Sequence, residues 1–108
     1  MIKTDQFDSE LQELAQFAKV LSHPARLMIL KYLAEKKVCI SGAITDEIPL
    51  SRTTVSQHLK ELKNAGLIQG TIDGLKVNYC LCGEGIVNIR ILIENFFNCI
   101  TTENSDKC

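Results

Sequence analysis

Ser51-Arg52-Thr53-Thr54-Val55-Ser56-Gln57-His58-Leu59-Lys60-Glu61-Leu62-Lys63-Asn64-Ala65-Gly66-Leu67-Ile68-Gln69-Gly70-Thr71-Ile72-Asp73-Gly74 changes its hydrophobic period partway along. In the first half Val55, Leu59 and Leu62 recur at i, i+4 and i+7, the spacing of one helical face. Ser51 is a cap-forming residue ahead of the run, and Gly66 suits the left-handed residue that ends a helix. From Ile68 the period falls to two. Ile68, Gly70 and Ile72 alternate, Asp73-Gly74 turns, and Leu75, Val77, Tyr79 and Leu81 alternate back. Asp-Gly between alternating runs is a strong hairpin signal. A two-residue loop there pairs 72 with 75, 70 with 77 and 68 with 79, and gathers the large apolar side chains on one face. The other face then carries Thr71 with Lys76, Gln69 with Asn78, and Leu67 with Cys80.

At about 100° per residue, Thr53, Gln57 and Lys60 point away from the buried stripe of helix 52–64. Arg52, Ser56 and Lys63 flank them. A solvated surface helix would also be polar on this side, yet serine and threonine are poor choices for helix stability alone, and Glu61 is the only acid on the face. Short hydrogen-bonding side chains suit base edges, and cations suit phosphates. Thr53, Ser56 and Gln57 supply the first, and Arg52, Lys60 and Lys63 the second. Ser51 and Thr54 sit at the helix start, where free N–H groups attract a phosphate. Lys76 lies near the hairpin tip, within reach of an adjacent nucleic-acid backbone.

Upstream, Ser9-Glu10-Leu11-Gln12 reads as a capping box opening a helix with Leu11, Leu14, Ala18 and Leu21 on one face. Ser22 caps the next helix, Pro24 fits its first turn, and Leu27, Leu30 and Ala34 with Met28, Ile29 and Leu33 form its apolar face. Lys36-Lys37 close it at the negative end of the helix dipole. A short helix from Gly42 to Ile48 follows, stopped by Pro49. The last helix runs from about Glu84 to Ile100. Ile86, Ile89, Ile93, Phe96 and Ile100, widened by Val87, Leu92 and Phe97, give it more apolar surface than a small monomer needs, the mark of a partner interface. The tail 101–108 is polar and expected to be disordered. The order of elements predicts a mainly α fold with a small β-hairpin. It is a winged helix-turn-helix of about five helices plus wing, in one domain spanning 1–108.

The chain has 108 residues and a net charge of −1, with 45 % hydrophobic and 23 % charged residues, an ordinary globular composition. The charge is segregated. Residues 1–18 hold one cation against four acids, whereas 19–76 hold nine Lys/Arg against five acids. A basic middle is compatible with nucleic acid despite near-neutral overall charge. No apolar run approaches the ~18 residues that would span a bilayer, and the first residues lack a basic-then-apolar leader, so a cytoplasmic protein without membrane contact is expected. In that reducing compartment the five cysteines, Cys39, Cys80, Cys82, Cys99 and Cys108, are not a structural disulfide framework. No nucleophile–base–acid set, glycine-rich phosphate loop or usefully spaced carboxylate pair appears, so no enzyme is expected.

Leu21-Ser22-His23-Pro24-Ala25-Arg26-Leu27-Met28-Ile29-Leu30 and the segment from Thr54 to Ile68 together resemble the second-helix signature and recognition helix of the ArsR/SmtB family of metal- and metalloid-responsive repressors. The likeness runs in register from about residue 11 to residue 100. It implies a homodimer packed through first and last helices. It also implies binding to double-stranded DNA at a two-fold-related operator, with half-sites about 34–36 Å or a multiple apart, and release when an inducer binds. Arsenic-responsive members carry Cys-x-Cys at the start of the DNA-reading unit. Here the segment reads Val38-Cys39-Ile40-Ser41, and a hydroxyl is a poor substitute for a thiolate toward a soft ion. The family's zinc site draws Asp, His and Glu from the last helices, but the last helix here offers Glu84, Asn88 and Glu94 without a histidine. His23 and His58 read as structural. Cys80-Leu81-Cys82, at strand spacing, places two sulfurs on one face. They could hold a soft metal or metalloid ion with Cys39 or Cys99, form a reversible disulfide, or simply pack. Other readings stay open: a winged-helix protein-interaction module, an inducer-independent regulator lacking a metal site, and a small metal-handling protein. A salt-dependent affinity for duplex DNA separates the first and last from a DNA binder.

Overall fold

The computed structural model describes residues 8–36, 40–41, 48–73 and 76–101, with backbone alone at 36, 40–41, 71–73 and 76–77. In chain order it has α1 (Ser9–Leu21), α2 (Pro24–Lys36), β1 (Ile40–Ser41), α3 (Arg52–Asn64), β2 (Ile68–Asp73), β3 (Lys76–Leu81) and α4 (Gly83–Ile100). The fold is mainly helical with a small antiparallel hairpin, and four helices lie among the described residues. The expected short helix at 42–48 falls outside them except for Ile48, as does the tail from 102 to 108.

Two helix starts differ from expectation. Asp8, not Ser9, caps α1, its carboxylate accepting from the Glu10 N–H at 2.8 Å. Ser22 does not cap α2. Its hydroxyl and its N–H both donate to the Lys19 carbonyl, at 2.6 and 3.3 Å, so it closes α1. His23 takes over the cap, with Nδ1 accepting from Ala25 N–H at 3.2 Å, and Pro24 occupies the first helical position as expected. Helix α3 follows its sequence reading, capped by Ser51 and ended by Gly66 at φ +79°.

The hairpin register also differs. Ile68 pairs with Leu81, Gly70 with Tyr79, Ile72 with Val77, and Asp73 with Lys76, a shift of two residues from the expected pairing. The loop therefore falls one residue later, at 74–75, outside the described residues. This register engages all six residues of each strand. It continues beyond them in the Cys82 N–H, which donates to the Leu67 carbonyl at 2.9 Å. A two-residue shift preserves side-chain faces, so Ile68, Tyr79 and Leu81 still meet the core. The short β1 adds a third strand beside β3, giving the order β1-β3-β2.

The core joins Ile29 and Leu33 of α2, Ile48 ahead of α3, Val55, Leu59 and Leu62 of α3, Leu67 and Ile68 at the start of β2, and Ile89 of α4. It seats α3 against α2 and the hairpin. Helix α1 packs on α2 and α4, yet none of its residues is buried, and α4 buries only Ile89. Leu11, Val87, Ile91, Phe97 and Ile100 remain exposed. Among the described residues no helix is long and apolar enough to cross a membrane.

Candidate nucleic-acid interface

Helix α3 divides cleanly into two sides. Val55, Leu59 and Leu62 are 0, 3 and 0 % exposed and fix its inner face, while Arg52, Thr53, Ser56, Gln57, Lys60 and Lys63 are exposed. No segment among the described residues covers this polar side. Ser51 is extended, at φ −65° and ψ 156°, and its Oγ accepts from the Thr54 N–H at 3.3 Å. The Ser51 and Thr54 hydroxyls also lie 2.9 Å apart, so these two residues hold the helix start together. The first turn carries no acid, leaving the positive end of the helix dipole without a local counter-charge. Gln57 Nε2 donates to Glu61 Oε1 at 3.1 Å across one turn. Lys76 opens β3, with its side chain outside the described atoms.

Behind the polar face of α3 lies a contact that the sequence did not reveal. Arg26 of α2 donates from Nε to His58 Nδ1 at 3.1 Å and from an Nη to the Val20 carbonyl at 3.2 Å. One guanidinium thereby links the end of α1, the start of α2 and the inner face of α3. The ring of His23 lies 4.3 Å from that of His58, tilted by 52°. His58 is 6 % exposed, and its Nε2 has no hydrogen-bond partner among the described residues. Burial, the nearby His23 and the Arg26 charge, in that order, hold its pKa below the ordinary 6.5. His23 caps α2 and His58 packs against it from α3. Their meeting is encoded in no local period, although both quoted signature segments contain a partner.

The cysteines separate by role. Cys80 lies in β3 opposite Gln69 and is disulfide-bonded. Cys82 lies just beyond the strand as the residue preceding α4, half-buried with a free thiol, and Cys99 on α4 is free and exposed. Cys39 and Cys108 are outside the described residues. Among the described residues no three Cys, His, Asp or Glu side chains cluster as a metal site.

A capped helix with a bare polar face, backed by α2 and followed by a hairpin, defines a winged helix-turn-helix DNA-binding protein. Residues 23–69, from the His23 cap through α3 into β2, match the family described as bacterial regulatory protein, arsR family. An HTH-type transcriptional regulator of Methanocaldococcus jannaschii is 32 % identical over 83 residues, covering 77 % of this chain and 93 % of that protein. The crystal structure of a possible transcriptional regulator for arsenical resistance matches with a TM-score of 0.68 at 27 % identity, over 82 % of this chain and 88 % of the other. A homodimeric winged helix-turn-helix DNA-binding domain from Mycobacterium bovis, a possible ArsR-family regulator, matches with a TM-score of 0.64 at 27 % identity, over 87 % and 85 %. The chain belongs to the ArsR family and is a DNA-binding transcriptional regulator of that family, which is one of regulators and not of enzymes.

Proposed function

We propose that this protein is a cytoplasmic, non-enzymatic repressor that reads a two-fold-related operator as a homodimer. The single observation carrying this reading is the uncovered polar face of α3. On it Thr53, Ser56 and Gln57 meet base edges while Arg52, Lys60 and Lys63 meet phosphates. Ser51 and Thr54 present the helix start to a phosphate, and Lys76 brings the wing to the neighbouring backbone. The exposed apolar residues of α1 and α4 supply the dimer contact, as a homodimeric relative supports. The inducer is a thiol-directed signal acting at Cys39, Cys80 and Cys82. A soft metalloid ion is one form of it, supported by the arsenical-resistance relative, but the described donors do not complete a site for such an ion. A thiol oxidant is the other, favoured by the disulfide at Cys80.

The test is paired. Gln57→Ala loses discrimination between operator and scrambled duplex by about 1–3 kcal/mol. Lys60→Ala weakens both duplexes alike and flattens the salt dependence. Equal behaviour of the two variants on both duplexes refutes the assignment of α3 as the reading element.

A further inference from the structure

The seat of α3 contains a hydrogen bond that only one protonation state allows. Arg26 Nε donates to His58 Nδ1 at 3.1 Å, so that ring nitrogen is an acceptor. In a neutral imidazole the single ring proton then sits on Nε2. The titratable and charged groups facing His58 from outside its own helix are His23, with ring centroids 4.3 Å apart, and Arg26. Helix α1 reaches this joint through the Val20 carbonyl, which accepts from Arg26. From β2 and α4 the core residues that accompany α3 are apolar, Ile68 and Ile89. On α3 itself Glu61 stands one turn on, its carboxylate accepting from Gln57. Among the described residues no carboxylate pairs with Arg26, His23 or His58.

We propose that Arg26 and His58 are positioning residues for DNA recognition: their hydrogen bond seats α3, and protonation of His58 breaks it, so that the affinity for DNA falls in acid. The bond itself stands on the distances, and its consequence rests on α3 being the helix that reads DNA.

Protonation takes a proton from solvent onto Nδ1, the nitrogen that faces the Arg26 Nε–H. A guanidinium keeps its protons throughout this range, so two donors and two positive charges meet where one bond stood. The ring and the guanidinium must part. Burial, the nearby His23 and the Arg26 charge, in that order, favour the neutral ring and hold its pKa below 6.5. The bond is therefore intact at neutral pH and lost as pH falls through the folded value. His58 is joined through the chain to Gln57, which is exposed on the other side of the helix. In a close-packed seat, displacement of the buried ring carries the polar face with it. The sign of the effect is distinctive. Added positive charge ordinarily tightens binding to phosphates, whereas here acid loosens it.

The test uses the full chain and a duplex selected from a random pool at about pH 7.5. Its Kd is measured at constant ionic strength down to about pH 5, across the interval in which histidine titrates. Circular dichroism is followed at each pH. The wild-type Kd is expected to rise about tenfold, within the roughly 5–150-fold range of typical coupling between sites. His58→Asn keeps an acceptor near the Nδ1 position and does not titrate, so it is expected to show no step. Arg26→Met is expected to bind weakly at every pH, also without a step. His23→Asn, which retains an acceptor for the α2 cap, is expected to keep the step. In the wild type, NMR signals of the His58 ring and the Arg26 Nε–H are expected to titrate together. A Kd that stays flat or tightens in acid, a step that survives His58→Asn, or a step lost in His23→Asn overturns the proposal and leaves α3 as the DNA-reading helix. An Arg26 Nε–H signal indifferent to pH overturns it even where no variant folds. Loss of helical signal coinciding with the step overturns it as well, since acid is then breaking the fold and not the seat. A chain whose two signals titrate together but which selects no duplex overturns the assignment of α3 to DNA, and the proposal falls with it.

Discussion

Two glycines in the first turn of α4 are expected to respond oppositely to the same substitution. A Cβ on Gly85 would lie 2.8 Å from the Gly66 carbonyl carbon and closer still to its oxygen. Both are backbone atoms, so no rotamer change relieves the overlap, and α4 must draw away from the end of α3. Replacing glycine by alanine in a helix gains up to about 1 kcal/mol from backbone entropy. Forcing a methyl group into a packed contact costs about 1–3 kcal/mol. The movement also strains the Cys82 N–H bond to the Leu67 carbonyl, worth about 1 kcal/mol. Gly85→Ala therefore loses about 1–3 kcal/mol net. A Cβ on Gly83 meets nothing within 4 Å, so Gly83→Ala keeps the entropic gain without the clash. At about 4–8 °C per kcal/mol for a domain of this size, the two variants separate by on the order of 10–20 °C in Tm. Thermal unfolding followed by circular dichroism at matched protein concentration measures the gap, since association would shift both values. A Gly85→Ala protein that melts at or above Gly83→Ala refutes the close approach of α4 to Gly66.

Leu62→Ala, at a fully buried position, is expected to cost about 2–5 kcal/mol in urea unfolding, far more than any exposed change on the same helix. His58 has a folded pKa below 6.5, so the unfolded chain takes up its proton first. Stability is full above pH 6.5 and declines as pH falls through the folded pKa, a decline that His58→Gln should flatten in denaturant midpoints measured across pH. Glu61→Ala releases Gln57 and removes an acid from the reading face. Operator affinity should rise several-fold in direct titration, with stability changed by less than about 0.5 kcal/mol.

The inner face of α3 was legible because Val55, Leu59 and Leu62 can share one side only in a helix, and Gly66 marked its end. The hairpin was legible as a pattern but not in register. Moving Tyr79 from Ile68 to Gly70 keeps every side chain on its own face, so alternation cannot distinguish pairings two residues apart. Helix starts were ambiguous for a local reason: Asp8 stands beside Ser9, and Ser22 beside His23, with both members of each pair able to accept a hydrogen bond. The structure decides between Ser22 and His23 because the Ser22 hydroxyl is already committed to Lys19. The Arg26 contact to His58 spans 32 positions, and no periodicity encodes a partner at that separation. The two-residue β1, which pairs with β3, has no pattern of its own to be read from the sequence.

These contacts restrict how α3 can respond to a signal. Its inner face is fastened to α2 through Arg26 and His58, and its far end, at Gly66, lies against the first turn of α4 at Gly85. The Leu67 carbonyl then ties the root of the wing to Cys82, the residue from which α4 begins. Close-packed joints of this kind transmit displacement instead of absorbing it. A shift of α4 therefore reaches α3 through backbone contact at Gly66. The short segment between Asn64 and Leu67 is thus where the third helix, the wing and the last helix meet through backbone contacts.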